Sequence, residues 1–423
     1  MMLLLTVPGK ADARGYRIPM PTDFDQVDVY LLTVGRGPTV YALYGHTILR
    51  VVDRSNNADN NFNWGIFDFR SDNFVWNFYV GNLNYQLAVT DFHYVVDHYR
   101  NYEQRGMIQD KINLTNKQKE TLLKRLIWNG HPDNIFYQYN QFLDNCATKP
   151  RDYIDEAIGG KIKELYANRP AGVNLRHHIR FNASPVWWVD VGLDTVSNKM
   201  LDMPATNWQE MFLPGRLREL LAVMPAYDDE GNTIPGKNLL EGAEVIIDIP
   251  DPPNAVDPYY VIGLISGLGI VLASLFVLSG TMRDAPPASR SRASYAVLGM
   301  ALVAFGLWSA FWGTAMTFNW VFSRYPEVQA NRLLFLYWPL DWLLALLGFW
   351  YMVKGRPFPG LTKRGKIMVS LGILHMAGIA TAAVLYGVGA VDQNILPHLL
   401  LAGVPGLLLY WVVLRAGLTR EAA

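Results

Sequence analysis

Five apolar stretches, near residues 259–280, 295–317, 333–353, 367–388 and 396–414, dominate the last third of this chain. Each is long enough to cross a hydrocarbon core, which takes about 20 apolar residues. Backbone in lipid must satisfy its own hydrogen bonds, so residues 259–415 are predicted to form an α-helical membrane domain of five spans. Lysine and arginine give the orientation. Arg283, Arg290 and Arg292 lie in one loop, Lys354, Arg356, Lys363, Arg364 and Lys366 in another, and Arg415 and Arg420 at the end. The opposite loops carry only Arg324 and Arg332. This bias predicts a cytoplasmic tail, 416–423, and an extracytoplasmic location for everything before the first span. The 37 basic and 37 acidic residues balance, so no basic tract points to nucleic acid.

Residues 27–225 read as one polar, globular domain, and the proline- and acid-rich residues 226–258 as a linker with one short strand or hairpin. Residues 1–26 open with "MMLLLTVPGKADA", an apolar run followed by an Ala-x-Ala pattern at Ala11 to Ala13, without a basic start. This extension reads either as the remnant of a signal peptide or as a disordered terminus.

The domain holds the chain's one cysteine, Cys146, in "QFLDNCATKP". Outside the cytoplasm paired cysteines form disulfides, and an unpaired one is either a small buried hydrophobe or a nucleophile. Asp144 and Asn145 are good helix caps, and "CATKPRDYIDEAIGG" continues as a helix ending at Gly159-Gly160, with a break or kink expected at Pro150. Cys146 is thereby expected in the first turn, where the helix dipole favours a thiolate. A nucleophilic thiol needs a base. His46 lies in the strand-like "VYALYGHTILRVV", and "FNWGIFDFR" is expected to pair beside it, bringing Asp68 to orient the imidazole. Tyr44, two residues before His46, is either an oxyanion contact or a sheet-packing aromatic, and Asn145 a cap. His93 and His98 lack partners spaced for a metal, and no cofactor is expected.

"YGHTILRVVD", "WGIFDF", "NFVWNFYVGNLNYQL" and "YNQFLDNCATKPRD" together resemble the periplasmic domain of the Lnb family of bacterial lipoprotein N-acyltransferases. "NWQEMFLPGRLRELL" at 207–221 is similar to that family's C-terminal motif, and "YPEVQANRLLFLYWPLDWL" at 325–343 is weakly similar to its membrane part. The resemblance implies an α+β fold, permuted papain-like (NlpC/P60-like), on a multi-pass protein of the bacterial inner membrane. It implies Cys146 as nucleophile and His46 as base, with a third position for which Asp68 is the candidate. It also implies acyl transfer through a thioester to the N-terminal amine of a lipoprotein acceptor, from a phospholipid or a diacylglyceryl donor in the membrane.

The residues fit such chemistry independently. Thioester formation needs an activated thiol, a histidine and an oxyanion hole. "NFVWNFYVGNLNY" and "SPVWWVDVG" read as interfacial anchors or as ordinary core. Asp341, near the outer end of the third span, is costly in lipid unless paired or near water; it reads either as a partner of Arg332 or Arg324, themselves also candidates to grip a phosphate, or as an interfacial carboxylate with no special role. Gly263 and Gly267 form a small-xxx-small packing signal. Two alternatives stay open: a cell-wall amidase, peptidase or thiol lipase using the same groups, and a non-catalytic membrane scaffold.

Overall fold

The computed structural model describes residues 15–67, 73–82, 84–255, 257–281, 292–359, 362–416 and 418–419. The chain forms two compact units, one of Met1–Val186 with Pro204–Ala255, the other of Trp187–Met203 with Val256–Ala423.

The first unit is built on a seven-stranded antiparallel sheet. Its strands are β1 (Val27–Val34), β2 (His46–Asp53), β3 (Ala58–Ile66), β4 (Asn84–Asp91), β5 (Met107–Ile112), β6 (Phe136–Gln138) and β7 (Leu240–Ile247), in the order β7-β5-β1-β2-β3-β4-β6. Side chains alternate across a strand, and β1 buries both sets. Val27, Val29 and Leu31 join one core cluster, Leu32 and Val34 another. Five helices of this unit bear on the site: α1 (Asn116–Gly130), α2 (Thr148–Ala157), α3 (Leu175–Ala183), α4 (Asn207–Glu210) and α5 (Pro214–Ala222). Leu122, Leu123 and Leu126 of α1, Ile154 of α2 and Leu217 and Leu221 of α5 pack in the first cluster. Each such side chain contributes about 1.5–3 kcal/mol on full burial. The second face is covered by Val95 and Tyr99, from the helix Phe92–Asp97 and the wide turn His98–Glu103 that follows it. Within 226–258, a strand Thr233–Asn238 pairs with Pro225–Tyr227, and β7 completes the main sheet beside β5.

A polar link inside the core fixes the sheet to α2. Asn129 Oδ1 on α1 accepts from Trp64 Nε1 of β3 (2.8 Å) and from the Tyr153 hydroxyl of α2 (2.9 Å). The Trp64 and Tyr153 rings meet edge to face at 5.6 Å. The last turn of β3 and the helix that follows Cys146 are therefore held by one buried contact.

The second unit contains α6 (Pro258–Thr281), α7 (Arg292–Phe322), α8 (Asp341–Lys354), α9 (Lys363–Gly387) and α10 (Val404–Ala416), the last preceded by helical turns from Leu396. Among the described residues, three helices are long and apolar enough to cross a membrane: Arg292–Phe322, Lys363–Gly387 and Leu396–Arg415. The third expected stretch, 333–353, begins as a short 3₁₀ helix, Arg332–Phe335, so that α8 has only 14 residues. At 1.5 Å per residue that is about 21 Å, short of a hydrocarbon core of about 30 Å.

Close packing in this unit comes from glycines other than those the sequence singles out. A Cβ at Gly267 would meet nothing within 4 Å, and one at Gly263 only Leu401. At Gly299, Gly306 and Gly313 of α7 it would lie 2.3 Å from Met352 N, 2.8 Å from Ala345 N and 2.5 Å from the Trp338 carbonyl carbon. The seven-residue spacing keeps these glycines on one side of α7, where the backbone of α8 and its approach lies against them.

Asp341 is fully buried and is bound by neither arginine. His375 Nε2 lies 2.6 Å from its carboxylate, and the Ser309 hydroxyl donates to the same oxygen. Arg332 is exposed, and its backbone N–H donates to Gln393. His398 is buried as well, beside the Tyr337 hydroxyl (3.0 Å) and Asp194 (3.4 Å).

Asp194 belongs to the helix Trp187–Val196, within the segment that the sequence reading puts in the polar domain. Val191 of this helix packs with Leu401, Ile262 and Trp308. Asn331 donates to the Thr195 and Ser197 carbonyls, Asn198 to those of Pro326 and Gln329, and Lys199 pairs with Asp392 at 2.7 Å.

Candidate active site

Two structural elements deliver the thiol and the imidazole. His46 is the first residue of β2, following Gly45, whose φ of +78° lets the chain turn into the strand. Cys146 lies just ahead of α2 rather than in its first turn. Asn145 makes that geometry. Its Oδ1 accepts from the Ala147 and Thr148 N–H groups, and its Nδ2 donates to the Gln141 and Phe212 carbonyls. Asn145 thus braces the turn that carries Cys146, while the N-cap of α2 itself is Ala147, without a side-chain cap. Pro150 causes no break, because α2 starts at Thr148 and proline falls in the first turn, where its missing N–H has no intrahelical use. The carbonyl its ring would crowd belongs to Cys146, outside the helix.

Cys146 is 9 % exposed and lies within electrostatic reach of the His46 side chain. Burial resists the thiolate, but the His46 charge, the His46 hydrogen bond and the Thr47 backbone N–H together bring the thiol below its ordinary pKa of 9.0. Burial likewise opposes an imidazolium, and the Cys146 charge, the Cys146 hydrogen bond and Asn63 outweigh it, raising His46 above 6.5. Each group thus favours the charged form of the other. The backbone N–H of Cys146 has no acceptor among the described residues.

The group that orients the imidazole is one the sequence reading does not name. His46 Nε2 lies 2.6 Å from Asn63 Oδ1. Asn63 pairs with Ile48 across β2 and β3 and so shares a sheet face with His46, two residues away. Asp68, the expected third residue, lies outside the described residues. Continuing the register sets Gly65 opposite His46. Gly65 has φ +95° at a register shift in β3, and a Cβ built there would stand 3.9 Å from Cys146 Cβ and 4.0 Å from His46 Cε1. The "WGI" bulge therefore keeps the space beside both groups clear.

Arg105 is a second group missed from the sequence. It is 3 % exposed, donates to the Gly35 carbonyl (2.8 Å) and Glu103 (2.7 Å), and lies over the Tyr99 ring. Its Nη2 has no hydrogen-bond partner among the described residues. Its charge favours the Cys146 thiolate and disfavours the His46 imidazolium. Tyr44 lines a cavity of about 530 Å³ beside this site, with its hydroxyl 3.5 Å from the Ile179 carbonyl. Arg332 and Asp341 belong to the second unit.

Cys146, His46 and Asn63 thus form a thiol, a base and an amide that orients the base, the arrangement a cysteine nucleophile requires. Comparison with known proteins found no match among curated proteins and none among solved structures. The family described as the Lnb N-terminal periplasmic domain matches residues 20–175, a span containing Cys146, His46 and Asn63. Residues 20–175 of this chain are therefore similar to the Lnb N-terminal periplasmic domain.

Proposed function

We propose that this protein is a membrane-bound lipoprotein N-acyltransferase that works through a Cys146 thioester. The observation that carries the reading is the Cys146–His46–Asn63 constellation inside the region similar to the Lnb N-terminal periplasmic domain. The thiolate attacks the ester carbonyl of a lipid donor, a phospholipid or a diacylglyceryl group. His46 hands its proton to the departing alcohol, leaving an acyl-enzyme. The Cys146 N–H holds the oxyanion. The α-amine of a lipidated lipoprotein then attacks the thioester, the C–S bond breaks, and His46 takes the proton lost as the amide forms. A permuted papain-like fold suits a strand histidine serving a cysteine at a helix start.

On this reading all five apolar stretches lie in the bacterial inner membrane, α8 completing its crossing with the residues before Asp341. The first unit is periplasmic and the C-terminus cytoplasmic, in keeping with the lysine and arginine bias. The membrane unit then tethers the thiol to the compartment where donor and acceptor reside.

Intact mass of the purified protein after incubation with phospholipid tests this beside Cys146→Ala. An acyl adduct on the wild type, absent from the variant and released by hydroxylamine, is expected. Absence of any adduct with the amine withheld would remove the acyltransferase reading and leave the amidase and scaffold.

A further inference from the structure

The Cys146 N–H alone makes a thin oxyanion hole, since such sites aim several donors at the developing charge. Another enclosed donor stands close by. Tyr137 lies on β6, the last strand of the sheet, opposite Tyr85 of β4. Gln86, the next residue of β4, faces Ile66 of β3, so Tyr137 sits level with the bulge at Gly65. The Tyr137 hydroxyl is shut off from solvent and has no hydrogen-bond partner among the described residues. The Gly65 backbone N–H comes near it without completing a hydrogen bond. A Cβ at Gly65 would stand 3.9 Å from Cys146 Cβ, so this glycine adjoins both the hydroxyl and the thiol.

The segment around Cys146 also holds the ring. Lys149, in the first turn of α2, places its ammonium 4.5 Å from the centre of the Tyr137 ring and pairs with Asp144 at 2.8 Å. Its backbone N–H donates to the Asn145 carbonyl (3.1 Å). Tyr137 is thereby tied to the loop that carries the cysteine, while the Tyr85 ring packs against it at 6.4 Å.

The surroundings keep this hydroxyl a donor. Burial first, then the negative charges of Cys146 and Asp144, hold the phenol well above its ordinary pKa of 10.0. Cys146 is the foremost of those charges. The proton is not spent on the resting thiol, because the hydroxyl makes no hydrogen bond to the sulfur. An enclosed O–H without an acceptor costs stability, and that cost is relieved when an acceptor arrives with the substrate.

We propose that Tyr137 is a catalytic residue whose hydroxyl donates the second hydrogen bond, beside the Cys146 N–H, to the oxyanion formed in each half of the reaction. The proposal rests on the acyl-transfer reading. The thiolate attacks the ester carbonyl carbon, a C–S bond forms, and the carbonyl electron pair moves onto oxygen. Tyr137 donates to that oxygen and keeps its own proton. The carbonyl re-forms as the C–O bond breaks, and the departing alcohol takes its proton from His46. Attack of the amine on the thioester raises a second oxyanion in the same place, which the same two donors hold until the C–S bond breaks. The Gly65 bulge leaves that place free of a side chain.

The test uses the full-length protein in detergent, with acyl-enzyme formed from phospholipid in mixed micelles and followed by intact mass. For Tyr137→Phe we expect a maximal acylation rate about 100-fold lower, the size of effect that follows removal of one oxyanion donor. The phospholipid concentration for half-maximal rate should change less than about twofold, because the lost bond exists only in the transition state. Release of the acyl group by hydroxylamine should slow as well, since it passes through an oxyanion. Alkylation of Cys146 by iodoacetamide is a substitution at saturated carbon and forms no oxyanion. Its rate and pH dependence should match the wild type, which shows the variant is folded with thiol and His46 in place. Acylation at the wild-type rate in Tyr137→Phe, or alkylation that falls in step with acylation, would overturn the proposal. No adduct on the wild type would instead bring down the acyl-transfer reading, and this proposal with it.

Discussion

Cys146 is a weak acid made stronger by one neighbour. Because the thiol is brought below 9.0 and His46 lifted above 6.5, the thiolate exists from the depressed thiol pKa upward, and its imidazolium partner persists up to the raised histidine pKa. Alkylation of Cys146 by iodoacetamide at pH 7 should therefore be faster than that of an ordinary thiol of equal exposure. In His46→Asn it should fall about tenfold or more at that pH and recover only toward pH 9, since one pKa unit is a tenfold change in thiolate. Asn63→Ala should keep most of the alkylation but slow acyl-enzyme formation, because the ring loses the contact that aims it. Cys146 and His46 are readable from the sequence, because a capping Asp-Asn and a β-branched strand are local signals. Asn63 is not. A carboxylate at Asp68 is the more obvious partner for an imidazole, and only the β2–β3 register shows that residue 63 shares the histidine's face. Arg105 is hidden for a similar reason, since its burial depends on Tyr99 and the loop at Gly35.

At the level of elements, the site depends on an irregular strand. Gly65 combines a positive φ with a position against both reacting side chains. Gly65→Ala should cost about 1–3 kcal/mol from backbone strain, measurable as a lower unfolding midpoint. It should slow acylation beyond what that loss of stability explains, because the methyl group enters the space where an ester must approach. The strand pattern and the helix after Cys146 were legible in the sequence. The harmlessness of Pro150 was not, because it turns on where α2 starts, two residues after the cysteine. The glycine contacts of α7 were equally unreadable: "GLISG" has the motif, but the close approach is made at Gly299, Gly306 and Gly313, where α8 supplies the facing backbone.

For the molecule as a whole, the contrast between a polar first part and an apolar last third is written in composition, and the two units follow it with one exception. Residues 187–203 are few and flanked by sequence of the first unit, and their one local mark, the apolar opening at Trp187-Trp188, reads equally as core of the first unit or as an interfacial anchor. Their assignment comes from partners far along the chain: Asn331 and Gln393 on the Ser197 carbonyl, His398 beside Asp194, and Asp392 on Lys199. The chain consequently passes between the units three times, after Val186, Met203 and Ala255. Cutting the last of these passages leaves the N-terminal fragment holding Trp187–Met203, a part of the second unit's interior. A protease site introduced between Asp251 and Val256 should yield two pieces that co-elute in mild detergent, and pieces that drift apart would show the inserted segment to be loosely held. The seam in the peptide chain is thus not the seam in the molecule, and the protein should behave as a natural split pair, reassembled by a strap that one half lends to the other.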